Sequence, residues 1–126
     1  MELIANDIAI HLFVPDDGSE SARVKVVHRP SHQEVVNQDS DIQRQNLRSG
    51  LFELISLINP SPNQIRKPRF VLYDAVSVRL PDTVHDGEIT RLAWDFVSKE
   101  WKYYVQCPQR AVTQWYFAAD LDLLDD

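Results

Sequence analysis

The chain has 126 residues, 44% of them hydrophobic and 25% charged; this suits one compact domain, or a small module with an extension packed against it, and lies outside the disordered class. Its formal net charge is −6, with seven basic and nine acidic side chains in residues 1–67 and six and ten in residues 68–126. Neither half is a basic footprint for phosphate backbones, so duplex nucleic acid and anionic lipid are not expected partners. Cys107 is the single cysteine, which excludes an intrachain disulfide and suggests a reducing, cytoplasmic setting.

The first residues, MELIANDIAIHLFV, are interrupted by Glu2, Asp7 and His11 and have no basic start, unlike a signal peptide. No apolar run approaches the roughly 20 residues of a membrane-spanning helix, so no membrane role is expected. Ile8, Ile10, Leu12 and Val14 alternate at period two and predict a strand ended by Pro15. After the turn-forming PDDGSES, residues Ala22 to His28 alternate again through Val24 and Val26, which completes a hairpin. Arg29 to Gln38, polar and carrying Pro30, reads as a connection.

From Ser40 the period becomes helical. Ile42, Leu47, Leu51, Leu54, Ile55 and Ile58 share a face, and Ser40 with Gln43 has the form of a capping box, so a helix is predicted over 41–58. Gly50 in its middle weakens it by up to about 1 kcal/mol relative to alanine and suggests close packing. Asn59-Pro60 stops the helix. The stretch NPSPNQIRKP, with three prolines, is the natural linker. The expected organisation is therefore an N-terminal β-hairpin plus helix over 1–67 and an all-strand module over 68–126.

In that second part Phe70 to Tyr73 leads into a strand carrying Val76, Val78 and Leu80. Further strands are read at Glu88 to Phe96, Trp101 to Gln106 and Thr113 to Phe117. A single helical turn at Ala118 to Leu121 precedes a short last strand at Asp122 to Leu124. The order Val76-x-Val78, Gly87-x-Ile89, Leu92-x-Trp94-Asp95, Trp101-x-Tyr103-x-Val105, Trp115-Tyr116 and Asp120-Leu121 resembles a five-stranded SH3-like small β-barrel. The resemblance lies in strand count, strand length and the helical turn before the last strand, and it covers somewhat less than half of the chain. SH3, Tudor and KOW modules share this pattern without sharing a function, so the likeness implies a fold and no site residues. The fold class expected is α+β, with the hairpin and helix packed against the barrel.

The aromatic stretch RLAWDFVSKEWKYYVQ fits a hairpin with Phe96 opposite Trp101, Trp94 opposite Tyr103 and Leu92 opposite Val105 on one face. Asp95 opposite Lys102 and Ala93 opposite Tyr104 then fall on the other face, and residues 97–100 form a four-residue loop. Val76, Val78, Ile89, Trp115, Phe117 and Leu121 also claim the inner layer. Two outcomes are open for the aromatic excess: it packs against the helix, or it forms an exposed binding patch. Trp101, Tyr104 and Tyr116 are the residues expected in such a patch, the two tyrosines pointing outward.

Motifs for chemistry are weak. His28 and His32 have the i, i+4 spacing of a helical zinc site, but Pro30 lies between them, and they read as loop residues. Asp16-Asp17-Gly18-Ser19-Glu20 lacks the ligand spacing of a calcium loop. Asp120, Asp122, Asp125 and Asp126 read as a solvated acidic tail. Glycines at 18, 50 and 87 cannot build a phosphate loop. Cys107 with a histidine such as His85 is the one nucleophile and base to weigh, and the sequence gives no sign that they meet. No metal or cofactor is expected. The reading is a non-enzymatic protein-binding or scaffold module, with a protein partner or self-association through the aromatic surface. The alternatives are a small hydrolase or transferase with an unannounced site, and single-stranded nucleic-acid binding by aromatic stacking.

Overall fold

The computed structural model describes residues 2–13, 22–58 and 67–124. These residues form a mixed α+β protein with nine strands and one α-helix, and all strand pairs are antiparallel. The chain divides into two compact units, Asn6–Pro62 and Met1–Ala5 with Asn63–Asp126. The first strand, β1 (Glu2–Ile4), belongs to the second unit, where Leu3 faces Leu92 and is buried. Three residues are too few to show a period, so sequence alone does not reveal this strand.

The unit Asn6–Pro62 holds β2 (Ile8–Leu12), β3 (Val24–His28), β4 (Gln33–Asn37) and α1 (Gln43–Ile58). The hairpin expected between residues 8 and 28 forms, with Ile8 opposite His28 and Leu12 opposite Val24. Val14 to Ser21, including the acidic turn, lie outside the described residues. The stretch expected as a connection instead contains β4, which pairs with β3 from Val24↔Asn37 to His28↔Gln33. Its buried positions, Val35 and Asn37, alternate as a strand requires, but an inward asparagine hides the period.

Helix α1 lays its face on β3 and β4. Leu51, Leu54 and Ile55 are buried together with Val24, Val26 and Val35, while Ile42 is exposed. The partner of the helix stripe is thus the sheet of its own unit, where the sequence pattern suggests the aromatic excess. The N-terminus of α1 is held by Asn46, which is 1% exposed. Its side-chain amide donates to the carbonyls of Ala22 (2.7 Å) and Ser40 (2.8 Å), and its Oδ1 accepts from the Ser40 N–H (2.8 Å). The Ser40 hydroxyl accepts from the Ile42 N–H and donates to Gln45. The buried Asn46 amide, satisfied on both sides, ties the Ala22 carbonyl and the Ser40 backbone to the first turn of the helix.

The second unit is one six-stranded sheet. It comprises β1, β5 (Ala75–Arg79), β6 (Val84–Asp95), β7 (Glu100–Gln106), β8 (Gln114–Phe117) and β9 (Leu121–Leu123). The strand order is β8-β7-β6-β5-β9, with β1 also on β6. A 3₁₀ turn at Ala118–Asp120 separates β8 from β9. The long strand β6 serves two neighbours in turn: residues 84–88 pair with β5 and residues 91–93 with β1, and the register on β7 shifts between Ile89 and Arg91. That irregularity at Thr90 is a bulge, the device by which a strand bends. At the same level the chain entering β5 turns away through Tyr73, whose φ is 71° and whose hydroxyl donates to the Ala5 carbonyl at 3.0 Å.

The aromatic hairpin keeps its face but not its register. Trp94 lies opposite Trp101, Leu92 opposite Tyr103, Ala93 opposite Lys102 and Asp95 opposite Glu100. Relative to the expected pairing the strands slide by two residues, which leaves the inward side chains inward, Phe96 excepted, because the period is two. Trp94, Trp101, Tyr103, Leu92 and Val105 are all buried; Phe96 leaves the strand and is 71% exposed. The turn decides this. The Asp95 carboxylate accepts the N–H groups of Val97 (2.9 Å) and Ser98 (3.2 Å), and the Lys99 N–H donates to the Asp95 carbonyl (2.8 Å) with Lys99 at φ 55°. An aspartate that caps the turn next to it is worth more there than in an exposed cross-strand pair with Lys102.

Candidate functional site

Two clusters of the second unit combine aromatic rings with positive charge. The first spans three strands. Arg91 of β6 pairs with Tyr104 of β7, which pairs with Trp115 of β8, so the three side chains form one row across the sheet. The Tyr104 and Trp115 rings meet edge to face, 5.4 Å between centroids at 72°. The Arg91 guanidinium lies 5.5 Å from the Tyr104 ring and 5.4 Å from that of Trp115, and the Lys102 ammonium lies 5.0 Å from Trp115. Lys102 and Phe117 form the neighbouring row. All five side chains are half-buried, so they reach solvent while resting on one another. Each exposed cation–ring pair contributes about 0.5–1 kcal/mol of attraction, which helps to hold both rings and cations in place.

Of the three residues expected in a binding patch, only Tyr104 is on this surface. Trp101 is 5% exposed and packs edge to face on Trp94, 5.8 Å between centroids. Tyr116, expected outward, is 5% exposed; it lies opposite Tyr103 on the inner face, and its hydroxyl donates to the Val112 carbonyl at 2.6 Å. The parity of β8 is therefore the reverse of the expected one, with Trp115 and Phe117 outward. Three consecutive aromatics, Trp115 to Phe117, carry no alternation from which to choose a face, and only the pairing with β7 decides it.

The second cluster is a cleft of about 140 Å³ beside the β6–β7 turn. Trp94, Trp101 and Tyr103 wall it, and Lys67, Arg69, Lys99 and Glu100 line it, with Ala118 from the 3₁₀ turn. The basic residues Lys67 and Arg69, two apart in an acidic chain, are the sequence signal for this place. Tyr103 is 1% exposed, and its hydroxyl oxygen accepts the backbone N–H groups of Arg69 (2.9 Å) and Phe70 (3.4 Å). Burial pushes its pKa above the ordinary 10.0, against smaller opposing contributions from those two N–H groups and the Arg69 charge.

The remaining candidates are placed as follows. The Cys107 thiol is buried close to Gly87, and burial, with a smaller contribution from Asp86, raises its pKa, the opposite of what activates a nucleophile. The His85 ring pairs with the Thr83 hydroxyl at 2.9 Å. His28 is buried on β3 and pairs with Ser31 at 2.7 Å, while His32 is exposed in the adjoining turn at φ 62°. Among the described residues no three His, Cys, Asp or Glu side chains converge as a metal site, and no helix is long and apolar enough to cross a membrane. Asp125 and Asp126 lie outside the described residues. No family model, curated protein or solved structure matches the chain.

Proposed function

We propose that the second unit is a non-enzymatic binding module of the SH3-like small-barrel type that engages a protein partner through the outer face of β6, β7 and β8. The strand order β9-β5-β6-β7-β8, the bulged central strand and the single 3₁₀ turn before the last strand support the fold reading. The row Arg91–Tyr104–Trp115 carries the functional one. Arginine, tyrosine and tryptophan are the residue types that dominate interface hot spots, because each offers a large rigid contact area with a polar or charged edge. Here they are already ordered on adjacent strands, which lowers the cost of immobilising them on binding. The site residues of this reading are Tyr104, Trp115 and Arg91.

The experiment is capture of partners on the immobilised full chain, compared between wild type and the Tyr104→Ala/Trp115→Ala variant. The reading expects loss of the captured partner with a thermal midpoint lowered only slightly, since both rings are half-exposed. Unchanged capture by a folded variant overturns it. Titration with a single-stranded homopolymer distinguishes the alternative, because rings and cations in one row also suit base stacking. Tight binding that the double substitution abolishes replaces the protein partner with single-stranded nucleic acid.

A further inference from the structure

The outer face ends at β8, and β8 is an open edge. Among the described residues it pairs with β7 alone, and beyond that ladder Gln114, Trp115 and Tyr116 make no backbone hydrogen bond. Alternate residues of an antiparallel strand aim their N–H and C=O groups away from the neighbour they pair with, so β8 presents unpaired donors and acceptors in the plane of the sheet. Proteins commonly blunt such edges with charge. The strand β1, paired with β6 alone, contains Glu2, and β9, paired with β5 alone, contains Asp122, which meets Arg79 at 3.0 Å. By contrast β8 reads QWYF and has no charged residue. A cation reaches it from the next strand: the Lys102 ammonium lies 5.0 Å from the Trp115 ring centroid, and among the described residues Lys102 has no ion pair. Trp115 and Phe117 are half-buried on the same face. Unmet hydrogen bonds, an unmatched cation and two partly covered rings thus coincide at one place.

We infer that β8 takes up an extended segment of a protein partner as a further strand of the sheet, with an acidic side chain of that segment paired to Lys102 and an apolar one two residues away resting on the Trp115 and Phe117 rings. The inference rests on the outer-face reading and deepens it by naming how the partner is held. Backbone bonds along the edge give affinity, and side chains at every second position give selectivity. The period of two puts residues i and i+2 of the added strand on the outer face, beside Trp115 and Phe117. A carboxylate there meets the ammonium next to the indole, where a charge-assisted hydrogen bond is stronger than in open water. A second copy of the chain fits less well, because joining β8 to β8 brings two Lys102 side chains to one seam and no carboxylate from either strand to balance them.

A phage-displayed library of random linear heptapeptides, panned on the immobilised full chain, supplies the probe. The expected binders carry Asp or Glu two residues from an aliphatic or aromatic side chain. In the synthetic form of the tightest binder, N-methylation at every second amide should abolish binding, while N-methylation at the intervening amides should be tolerated, because a strand bonds its neighbour through alternate residues. Lys102→Glu should weaken binding roughly tenfold or more with the thermal midpoint kept. In hydrogen exchange read by NMR, the β8 amides that exchange fast in the free chain should slow roughly tenfold or more when the peptide binds. No enriched peptide, binders without an acid, equal binding by all N-methylated forms, or full affinity of the folded Lys102→Glu variant overturns the inference. Concentration-dependent dimerisation that protects the same amides without peptide also overturns it, by giving the edge to a second copy. Peptide binding that Tyr104→Ala/Trp115→Ala abolishes but N-methylation leaves intact removes the added strand and leaves the outer-face reading standing. Unchanged partner capture by that double variant removes the outer-face reading and this inference with it.

Discussion

Gly50 in α1 and Gly87 in β6 show how differently the two units are packed. A Cβ at Gly50 would meet Val26, Asn37 and Val35 side chains at 3.5–4.0 Å, which is ordinary contact. A Cβ at Gly87 would stand 2.6 Å from Val105 Cγ1, 2.7 Å from the Gln106 carbonyl oxygen and 2.8 Å from Cys107 Sγ. The helix approaches its sheet with a methyl group to spare. The bent strand β6, by contrast, is pressed against β7 where its register is about to shift, and the obstacle there is partly backbone. Helix-on-sheet packing is set by side chains that adjust, whereas a bulged sheet fixes main-chain spacing near 4.8 Å and leaves nothing to adjust.

Four substitutions and one titration sharpen the contrast, in descending order of effect. Leu54, fully buried between α1 and β3–β4, should cost about 2–5 kcal/mol as Leu54→Ala, read from the denaturant midpoint of the helical signal. A midpoint that hardly moves would mean that α1 is not held by this face. Gly87→Ala should destabilise by about 1–3 kcal/mol through overpacking, and equal stability would show that β6 can move away from Gln106. Tyr103→Phe keeps the ring that meets Phe70 edge to face at 5.4 Å but removes the acceptor for two backbone N–H groups. A loss of about 1–2 kcal/mol is expected in thermal or chemical unfolding.

Gly50→Ala should run the other way, stabilising by about 0.5–1 kcal/mol because the helix interior loses its most flexible residue and the new methyl group fits. A destabilised variant would place α1 closer to Val26 than ordinary contact. The smallest effect is in alkaline titration. Burial raises the pKa of Tyr103 and Tyr116 above 10.0, so both should ionise late in an ultraviolet titration. Since the folded state holds these protons more tightly than the unfolded chain, their contribution to stability is complete below pH 10 and is lost as the pH rises through the folded values. Ionisation of all four tyrosines in one step at the ordinary value would contradict their burial.

What the sequence determined by itself is what repeats within a few residues. The alternation of Val24 and Val26, of Val76 and Val78, and of Trp101, Tyr103 and Val105 placed strands and their inner faces, and the spacing of Leu51, Leu54 and Ile55 placed the helix. Tertiary structure decided the rest, because it turned on partners distant in the chain. The strand Glu2–Ile4 exists only as a neighbour of β6, and β4 turns inward an asparagine, Asn37, whose side chain accepts the Asp39 N–H. The two-residue slide of the aromatic hairpin followed from Asp95 capping its turn, a gain that alternation cannot register. The face of Trp115 and Tyr116 was likewise silent in QWYF, since a run with no polar member looks the same from either side until Tyr103 takes its place opposite Tyr116. The cleft was half legible: the basic pair Lys67 and Arg69 is written in the chain, but the indoles that wall the cleft arrive from the far hairpin only when the sheet has formed.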